Sequence, residues 1–185
     1  MNLLATFKMA STVVAISAAM ALPAQATTRV VEFNLLTASG TINTPFLFGD
    51  TLILDTLVTM EAGALTQSIT FTVGAGVTAL IGQAAWEIST AAGPGPRLVG
   101  VNIDIFNAGN NLVTSDTNVV VANRFATSSF ASAIGPGTYT LKATGNAVRD
   151  ASLDVAISFV PEPSTYGMLL AGLGVVALLA RRRPD

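Results

Sequence analysis

The stretch Ser68-Ile69-Thr70-Phe71-Thr72-Val73 alternates polar and apolar side chains over six residues. Successive side chains of a β-strand point to opposite faces. The order therefore predicts a strand with Ile69, Phe71 and Val73 on a buried face and three hydroxyl groups in water. Segments of similar character recur along the chain, and between them lie turn signals rich in glycine, proline and asparagine.

Seven further strands are predicted from alternation or from β-branched and aromatic content. They cover residues 30–35, 51–59, 84–89, 99–106, 119–125, 138–143 and 152–159. About eight short strands favour an all-β fold, an antiparallel β-sandwich of the immunoglobulin-like or jelly-roll-like kind, because a single sheet would leave an apolar face in water. We assign this domain to residues 27–159. Residues 122–133 are the one segment with a helical alternative, which their serines and threonines disfavour.

The turn Gly135-Pro136-Gly137 leads into a strand in which Tyr139 and Leu141 are expected to face inward. The Tyr139 hydroxyl is then within reach of a backbone group near the corner. In the last predicted strand Leu153, Val155, Ile157 and Phe159 are expected to face the core.

Composition excludes several classes of function. The 185 residues include no histidine and no cysteine, and the formal net charge is −2. Disulfides, thiolate metal sites, cysteine nucleophiles and histidine bases are therefore excluded. The small number of lysines and arginines argues against nucleic acid as a partner, since binding to phosphates needs clustered positive charge. We predict no cofactor and no enzymatic activity.

Residues 1–26 have the pattern of a secretory signal peptide. Lys8 supplies a positive charge, residues 9–21 are apolar or small, and Ala24 and Ala26 form a small-x-small cleavage site. Cleavage is expected after Ala26. The alternative is a lasting membrane anchor, which the short apolar run and Pro23 disfavour.

A second apolar run lies near the other end of the sequence. Pro161-Glu162-Pro163 precedes 17 residues, 164–180, that are expected to form a single transmembrane helix. Such a helix is about 25 Å long, near the lower limit for crossing a bilayer. Arg181, Arg182 and Arg183 follow and belong on the cytoplasmic side, which would leave the domain outside.

The order of tripeptide, apolar helix and arginine cluster resembles the PEP-CTERM sorting signal of bacterial surface and exopolysaccharide-associated proteins, here over residues 160–185. The resemblance implies processing by an exosortase, an integral membrane transpeptidase or protease, after a stage in the inner membrane. The alternative is a permanent anchor. Phe48-Gly49-Asp50-Thr51-Leu52 is similar to the Phe-x-Asp-x-Phe motif of one PEP-CTERM subfamily, with Leu52 in place of the last aromatic. Physically, Asp50 is expected to cap a turn while Phe48 packs in the core.

No catalytic residues are predicted, because the acidic residues show no convergent pair and the sequence lacks a Gly-x-Ser-x-Gly motif. Asp50 and Asp55 would face opposite sides of one strand, whereas Asp150 and Asp154 would share a side only if both lay in a strand. Calcium needs only oxygen ligands and stays an alternative, although the spacing of a calcium-binding loop is missing. Its candidate ligands are Asp104, Asn107, Asn110, Asn111, Asp116 and Asn118.

The predicted function is that of an exported, non-catalytic surface or extracellular-matrix protein associated with exopolysaccharide or biofilm. A secreted carbohydrate-binding module is the alternative, since sugars stack on aromatic faces. Trp86 alternates with Ala84 and Ile88 and is expected to face the core. If Trp86 is exposed instead, Trp86 and Glu87 are the best candidates for a sugar contact.

Overall fold

The computed structural model describes residues 25–90 and 92–161, together with residue 173. These residues form eleven β-strands. The strands are β1 (Thr28–Phe33), β2 (Thr37–Phe46), β3 (Thr51–Val58), β4 (Gly63–Val73), β5 (Ala79–Glu87), β6 (Arg97–Asn107), β7 (Leu112–Ser115), β8 (Thr117–Ala122), β9 (Phe125–Ala133), β10 (Gly137–Arg149) and β11 (Ala151–Val160). In the described part of the chain no helix is long and apolar enough to cross a membrane. Apart from residue 173, the predicted transmembrane helix at 164–180 lies outside the described residues, as do residues 1–24 of the predicted signal peptide.

The strands form two sheets, which confirms the all-β, sandwich-like prediction. Sheet A has the order β1-β3-β11-β5-β9-β8, and sheet B has the order β2-β4-β10-β6-β7. The chain passes from one sheet to the other at most of its turns, so β2 separates β1 from β3 along the sequence. This crossing makes two pairs parallel, β1 with β3 and β2 with β4. The expectation of a purely antiparallel sandwich was wrong at these two edges.

The core lies between the sheets and is made by the predicted alternation. Ile69, Phe71 and Val73 of β4 are buried, and so are Leu153, Val155, Ile157 and Phe159 of β11. Both predictions are confirmed. The core includes an aromatic cluster in which Phe71 contacts Phe46, Tyr139 and Phe159, with ring centroids 6.0, 6.0 and 5.7 Å away.

Polar contacts link the sheets at their two sides. Thr56 Oγ1 of β3 donates a hydrogen bond of 2.7 Å to Gln67 Oε1 of β4, and both side chains are buried. On the other side Asp116 is the one residue between β7 and β8. Its carboxylate accepts bonds from the Ile103 N–H of sheet B at 2.9 Å and from Ser128 Oγ of sheet A at 2.5 Å. Asp116 therefore fixes the corner where the chain changes sheet.

Three strands were not predicted, namely β2, β7 and β9. The predicted strand at 119–125 is divided by a turn at Asn123 and Arg124 into the end of β8 and the start of β9. The segment with the helical alternative, 122–133, is mostly β9. Residues 84–89 form only the second half of a strand that begins at Ala79.

Two detailed predictions about aromatic residues had different outcomes. The Tyr139 hydroxyl donates a hydrogen bond of 2.9 Å to the Gly135 carbonyl, as expected for a tyrosine at a sandwich corner. Phe48, expected in the core, is 47% exposed, and Phe46 is buried in its place. Phe46 is the last residue of β2, whereas Phe48 lies in the turn that follows, where the strand alternation has ended.

Strand β8 is the edge of sheet A that lies opposite β1. All six of its residues are exposed, including Val119, Val120 and Val121. A register shift between Thr117 and Val120, with positive φ at Asn118, bends the strand near its start. Such a bulge is a common protection of an exposed edge against pairing with another chain.

Candidate functional site

The Asp50 turn, residues 47–51, holds a buried carboxylate with several hydrogen-bond partners. Asp50 is 2% exposed. Its Oδ2 accepts a bond of 2.9 Å from the Leu47 N–H, while the Leu47 carbonyl accepts one of 3.1 Å from the Asp50 N–H. Asp50 thus caps the turn before β3, which confirms the physical interpretation of this residue.

The other oxygen of Asp50 holds the start of the first strand. The backbone N–H of Thr27 lies 2.8 Å from Asp50 Oδ1, and the Thr27 hydroxyl lies 2.9 Å from the same oxygen. Burial alone would raise the pKa of Asp50, but the hydrogen bonds from Leu47 and Thr27 and the charge of Arg29 outweigh burial and lower it. Asp50 is therefore a buried carboxylate that stays ionised.

Arg29 completes this cluster from β1. Its guanidinium lies 3.5 Å from Asp50 Oδ2 and 4.2 Å from the centre of the Phe46 ring. The same group donates hydrogen bonds to the carbonyls of Thr44 and Pro45, at 2.5 and 3.1 Å. With its donors occupied in this way, Arg29 ties the end of β2 to the Asp50 turn.

The same turn also holds the end of β11. The Gly49 N–H donates a bond of 2.9 Å to the Phe159 carbonyl, and the Phe159 N–H donates one of 3.1 Å to the Asp50 carbonyl. Two residues later, Pro161 ends the continuously described segment 92–161. The start of β1 and the end of β11 thus lie at one end of sheet A, on either side of β3. Among the predicted sorting residues, Glu162, Pro163, Arg181, Arg182 and Arg183 lie outside the described residues, and so does Ala24 of the predicted cleavage site.

The structure does not support Trp86 and Glu87 as a sugar-binding pair. Trp86 is 5% exposed and belongs to the core, as its alternation predicted, so its ring has no free face for a sugar. Glu87 points the other way and is paired with Arg124, which also donates a bond of 2.9 Å to the Pro94 carbonyl. The pair thus fastens the β8–β9 turn to the loop after β5.

Three of the six candidate calcium ligands, Asn107, Asp104 and Asp116, are engaged in hydrogen bonds of the fold. Asn107 Oδ1 accepts bonds from the N–H groups of Gly109 and Asn111, which makes it a turn former. Asp104 accepts a bond of 2.7 Å from Asn102, and Asp116 is occupied at the sheet corner. Within the described residues no group of three acidic side chains has the arrangement of a metal site.

A row of carboxylates crosses the outer face of sheet A and was missed from the sequence. Asp55 of β3 is directly opposite Glu32 of β1 and Asp154 of β11. Burial, the charge of Asp55 and a hydrogen bond with it raise the pKa of Asp154. The two pairs weighed from the sequence do not converge, because Asp50 is inside while Asp55 is outside. Asp150 lies in the turn between β10 and β11, where it accepts a bond from the Met60 N–H at 2.5 Å.

A shallow depression of about 470 Å³ continues this outer face across β11, β5, β9 and β8. Small side chains such as Ala85 and Ala156 form part of its lining. Polar groups from Gln83, Asn118 and Asp154 also line it. This combination can accept hydrogen bonds from, and donate them to, an extended polar ligand lying across the strands, but it offers no aromatic ring.

Comparison with known proteins supports the sorting signal. Residues 159–183 match the PEP-CTERM protein-sorting motif, which confirms the resemblance seen in the sequence. The motif is a sorting signal that implies an exported protein processed by an exosortase after a membrane-anchored stage. Its first residue in this chain, Phe159, is the core residue held by the Asp50 turn.

A search of curated proteins gave no match. Among solved structures, the pre-peptidase C-terminal domain of a collagenase from Bacillus anthracis is similar, with 15% identity and a TM-score of 0.37. The alignment covers 65% of this chain and 94% of that domain.

Proposed function

We propose that this protein is a non-catalytic β-sandwich that is exported, anchored briefly in the inner membrane and then cut by an exosortase near Pro161, Glu162 and Pro163. The mature domain would serve as a component of the cell surface or of an extracellular matrix rich in polysaccharide. The observation that carries the proposal is the PEP-CTERM motif at residues 159–183, which begins inside the last core strand.

The position of the motif suits such processing. Phe159 is buried and hydrogen-bonded, whereas Pro161 stands directly after the last strand. A cut beyond Pro161 would therefore leave both sheets whole. The proline also disfavours continuation of the strand, because it has no N–H to donate to a neighbour.

The polar residues of the domain support a structural rather than a catalytic role. Asp50, Asp116 and Glu87 are each bound to neighbouring groups that fix a turn or a corner. A general base or nucleophile needs a free pair of groups converging on one substrate position. The sequence also has no histidine or cysteine to supply one.

The decisive experiment is the intact mass and location of the protein in producing cells. We expect a species that starts at Thr27, ends near Pro163 and appears outside the inner membrane. Replacing Pro161, Glu162 and Pro163 together by alanine should leave a longer species in the membrane fraction. Glu32→Gln, which changes an exposed carboxylate of the domain, is the matched control for loss of a carboxylate and should be processed normally.

Two outcomes would contradict the proposal. A full-length chain in the cytosol would exclude export. A membrane-bound species that keeps its C-terminal residues in an exosortase-positive host would favour the permanent anchor.

A polysaccharide contact is the second candidate, and the depression on sheet A is the observation that favours it. Its lining of amide, hydroxyl and carboxylate groups suits the hydroxyl groups of a sugar chain. Binding to the host exopolysaccharide in a pull-down should fall when Gln83 and Asn118 are changed to alanine. Asn146→Ala, which removes an exposed amide from β10 of sheet B, should have no effect. An equal loss of binding in all three variants would exclude the depression as the polysaccharide-binding site.

A further inference from the structure

We propose that Asp50 is the receptor for the amino terminus that maturation creates. Cleavage after Ala26 would give Thr27 a free α-ammonium group. This group would form an ion pair with Oδ1 of the buried Asp50 carboxylate. The inference rests on the export step of the proposed function and assigns a role to the Asp50 turn that export alone does not require.

The geometry for this ion pair is already present. The Thr27 nitrogen lies 2.8 Å from Asp50 Oδ1, a distance typical of a charge-assisted hydrogen bond. The Thr27 carbonyl accepts a bond of 2.9 Å from the Thr51 N–H, so β3 holds the residue in place from its other side. The new terminus would therefore need no movement to reach its partner.

Cleavage changes the charge of the Thr27 nitrogen and so strengthens its contact with Asp50. Hydrolysis breaks the bond between the Ala26 carbonyl carbon and the Thr27 nitrogen, and water supplies the hydroxyl to Ala26 and a proton to the amine. A signal peptidase is the class of enzyme that performs this step. The amine takes up a further proton near neutral pH, so a neutral amide donor becomes a cation with three donors. Asp50 is 2% exposed, and hydrogen bonds to charged groups are stronger than neutral ones.

One positive group already faces this carboxylate among the described residues. Arg29 lies 3.5 Å from Asp50 Oδ2, the oxygen that the Thr27 nitrogen does not contact. The two cations would thus lie on different oxygens of one carboxylate. Arg29 is also fixed by the carbonyls of Thr44 and Pro45, so it is not displaced when the ammonium forms.

The contact would link the two processed ends of the protein. The Asp50 turn hydrogen-bonds Phe159, the first residue of the sorting motif, through Gly49 N–H and the Asp50 carbonyl. An ammonium bound to Asp50 would stabilise this turn only after the signal peptide has been removed. The domain would then become more stable at the moment when it is released from its leader.

The test uses the mature protein purified from producing cells. The Thr27 amine and Lys142, the one lysine after residue 26, react competitively with a trace of an amine-acylating reagent over a range of pH. An unperturbed α-amino group has a pKa of about 7.7–8.0. We expect the Thr27 amine to titrate at least about one pH unit higher, which makes it roughly tenfold less reactive near neutral pH. Asp50→Asn should restore ordinary reactivity, and the matched control Asp55→Asn should not.

A second measurement does not depend on the variant folding. Selective acetylation of Thr27 removes the positive charge and leaves an amide like that of the uncleaved chain. It should lower the thermal unfolding midpoint of the wild-type protein, and in Asp50→Asn, if that variant folds, it should change nothing.

An ordinary titration of the Thr27 amine, or an unfolding midpoint indifferent to acetylation, would overturn the inference and leave export and exosortase processing untouched. A mature chain that starts at a residue other than Thr27 would overturn the inference as well. The exosortase cut is tested separately by the mass of the C-terminal end.

Discussion

Replacing Phe71 by alanine should remove much of the stability of the domain. Phe71 is fully buried and lies in the middle of the aromatic cluster, against Phe46, Tyr139 and Phe159. A buried phenylalanine cut back to alanine typically costs about 3–5 kcal/mol, from lost apolar transfer and from the cavity left behind. Phe71 also loses three ring contacts, so we expect a value near the top of that range. The total free energy of unfolding of a domain of this size is about 5–15 kcal/mol.

The matched control is Phe48→Ala, the same chemical change at a ring that is 47% exposed. We expect it to cost less than about 1 kcal/mol, because surface substitutions are usually small in effect. Urea unfolding of the purified proteins, followed by tryptophan fluorescence of the buried Trp86, measures both free energies of unfolding. Phe71→Leu keeps most of the side-chain volume, so its loss of stability should lie between those of Phe71→Ala and Phe48→Ala. Equal losses of stability in Phe71→Ala and Phe48→Ala would refute the assignment of Phe71 to the core and of Phe48 to the surface.

Three further substitutions test other contacts by the same unfolding assay. Asp154→Asn should stabilise the protein at pH 7 by about 0.5 kcal/mol, since Asp154 and Asp55 are like charges on adjacent strands. Burial and the charge of Asp55 raise the pKa of Asp154, so the contribution of Asp154 to stability falls as pH rises through that pKa. A gain from Asp154→Asn that persists in strong acid, where Asp154 is protonated, would contradict this cause. Gly82→Ala should lower the free energy of unfolding by about 1–3 kcal/mol through overpacking, because a β-carbon there would lie 2.1 Å from the Phe130 ring. An unchanged free energy of unfolding would show that the ring moves aside without cost. Tyr139→Phe should cost about 1 kcal/mol by removing the hydroxyl that contacts the Gly-Pro-Gly turn, and an unchanged midpoint would deny that contact any role in stability.

The strands that could be predicted are those with a regular apolar face. Alternation identified the buried side chains of β4 and β11 because these central strands pack one face on the core and expose the other. The strand β2 was missed since it is an edge strand with Gly40 and Pro45, and only Phe46 is fully buried. In β9 the small side chains of serine and alanine give a weak period, although every second residue from Ala126 to Phe130 is buried.

Contacts between distant parts of the chain could not be predicted from local patterns. Asp55 and Asp154 are opposite each other only because β11 inserts next to β3, which depends on the order of strands in sheet A. The parallel pairs have the same origin. For Asp50, its role as a turn cap was predictable from its position before β3, but its contact with Thr27 was not, since a residue 23 positions earlier supplies the donor.

The order of strands in sheet A has a consequence for the timing of folding. β11 is the last of the eleven strands in sequence, yet it lies between β3 and β5 in the middle of the sheet. In the proposed export the chain would emerge from its amino end, so sheet A would keep a gap between β3 and β5 until residues 151–160 had emerged. Such gaps are open to proteases and to aggregation while they last. Sheet A would then be completed only as the sorting motif at residues 159–183 reaches the membrane, before the proposed cut near Pro161.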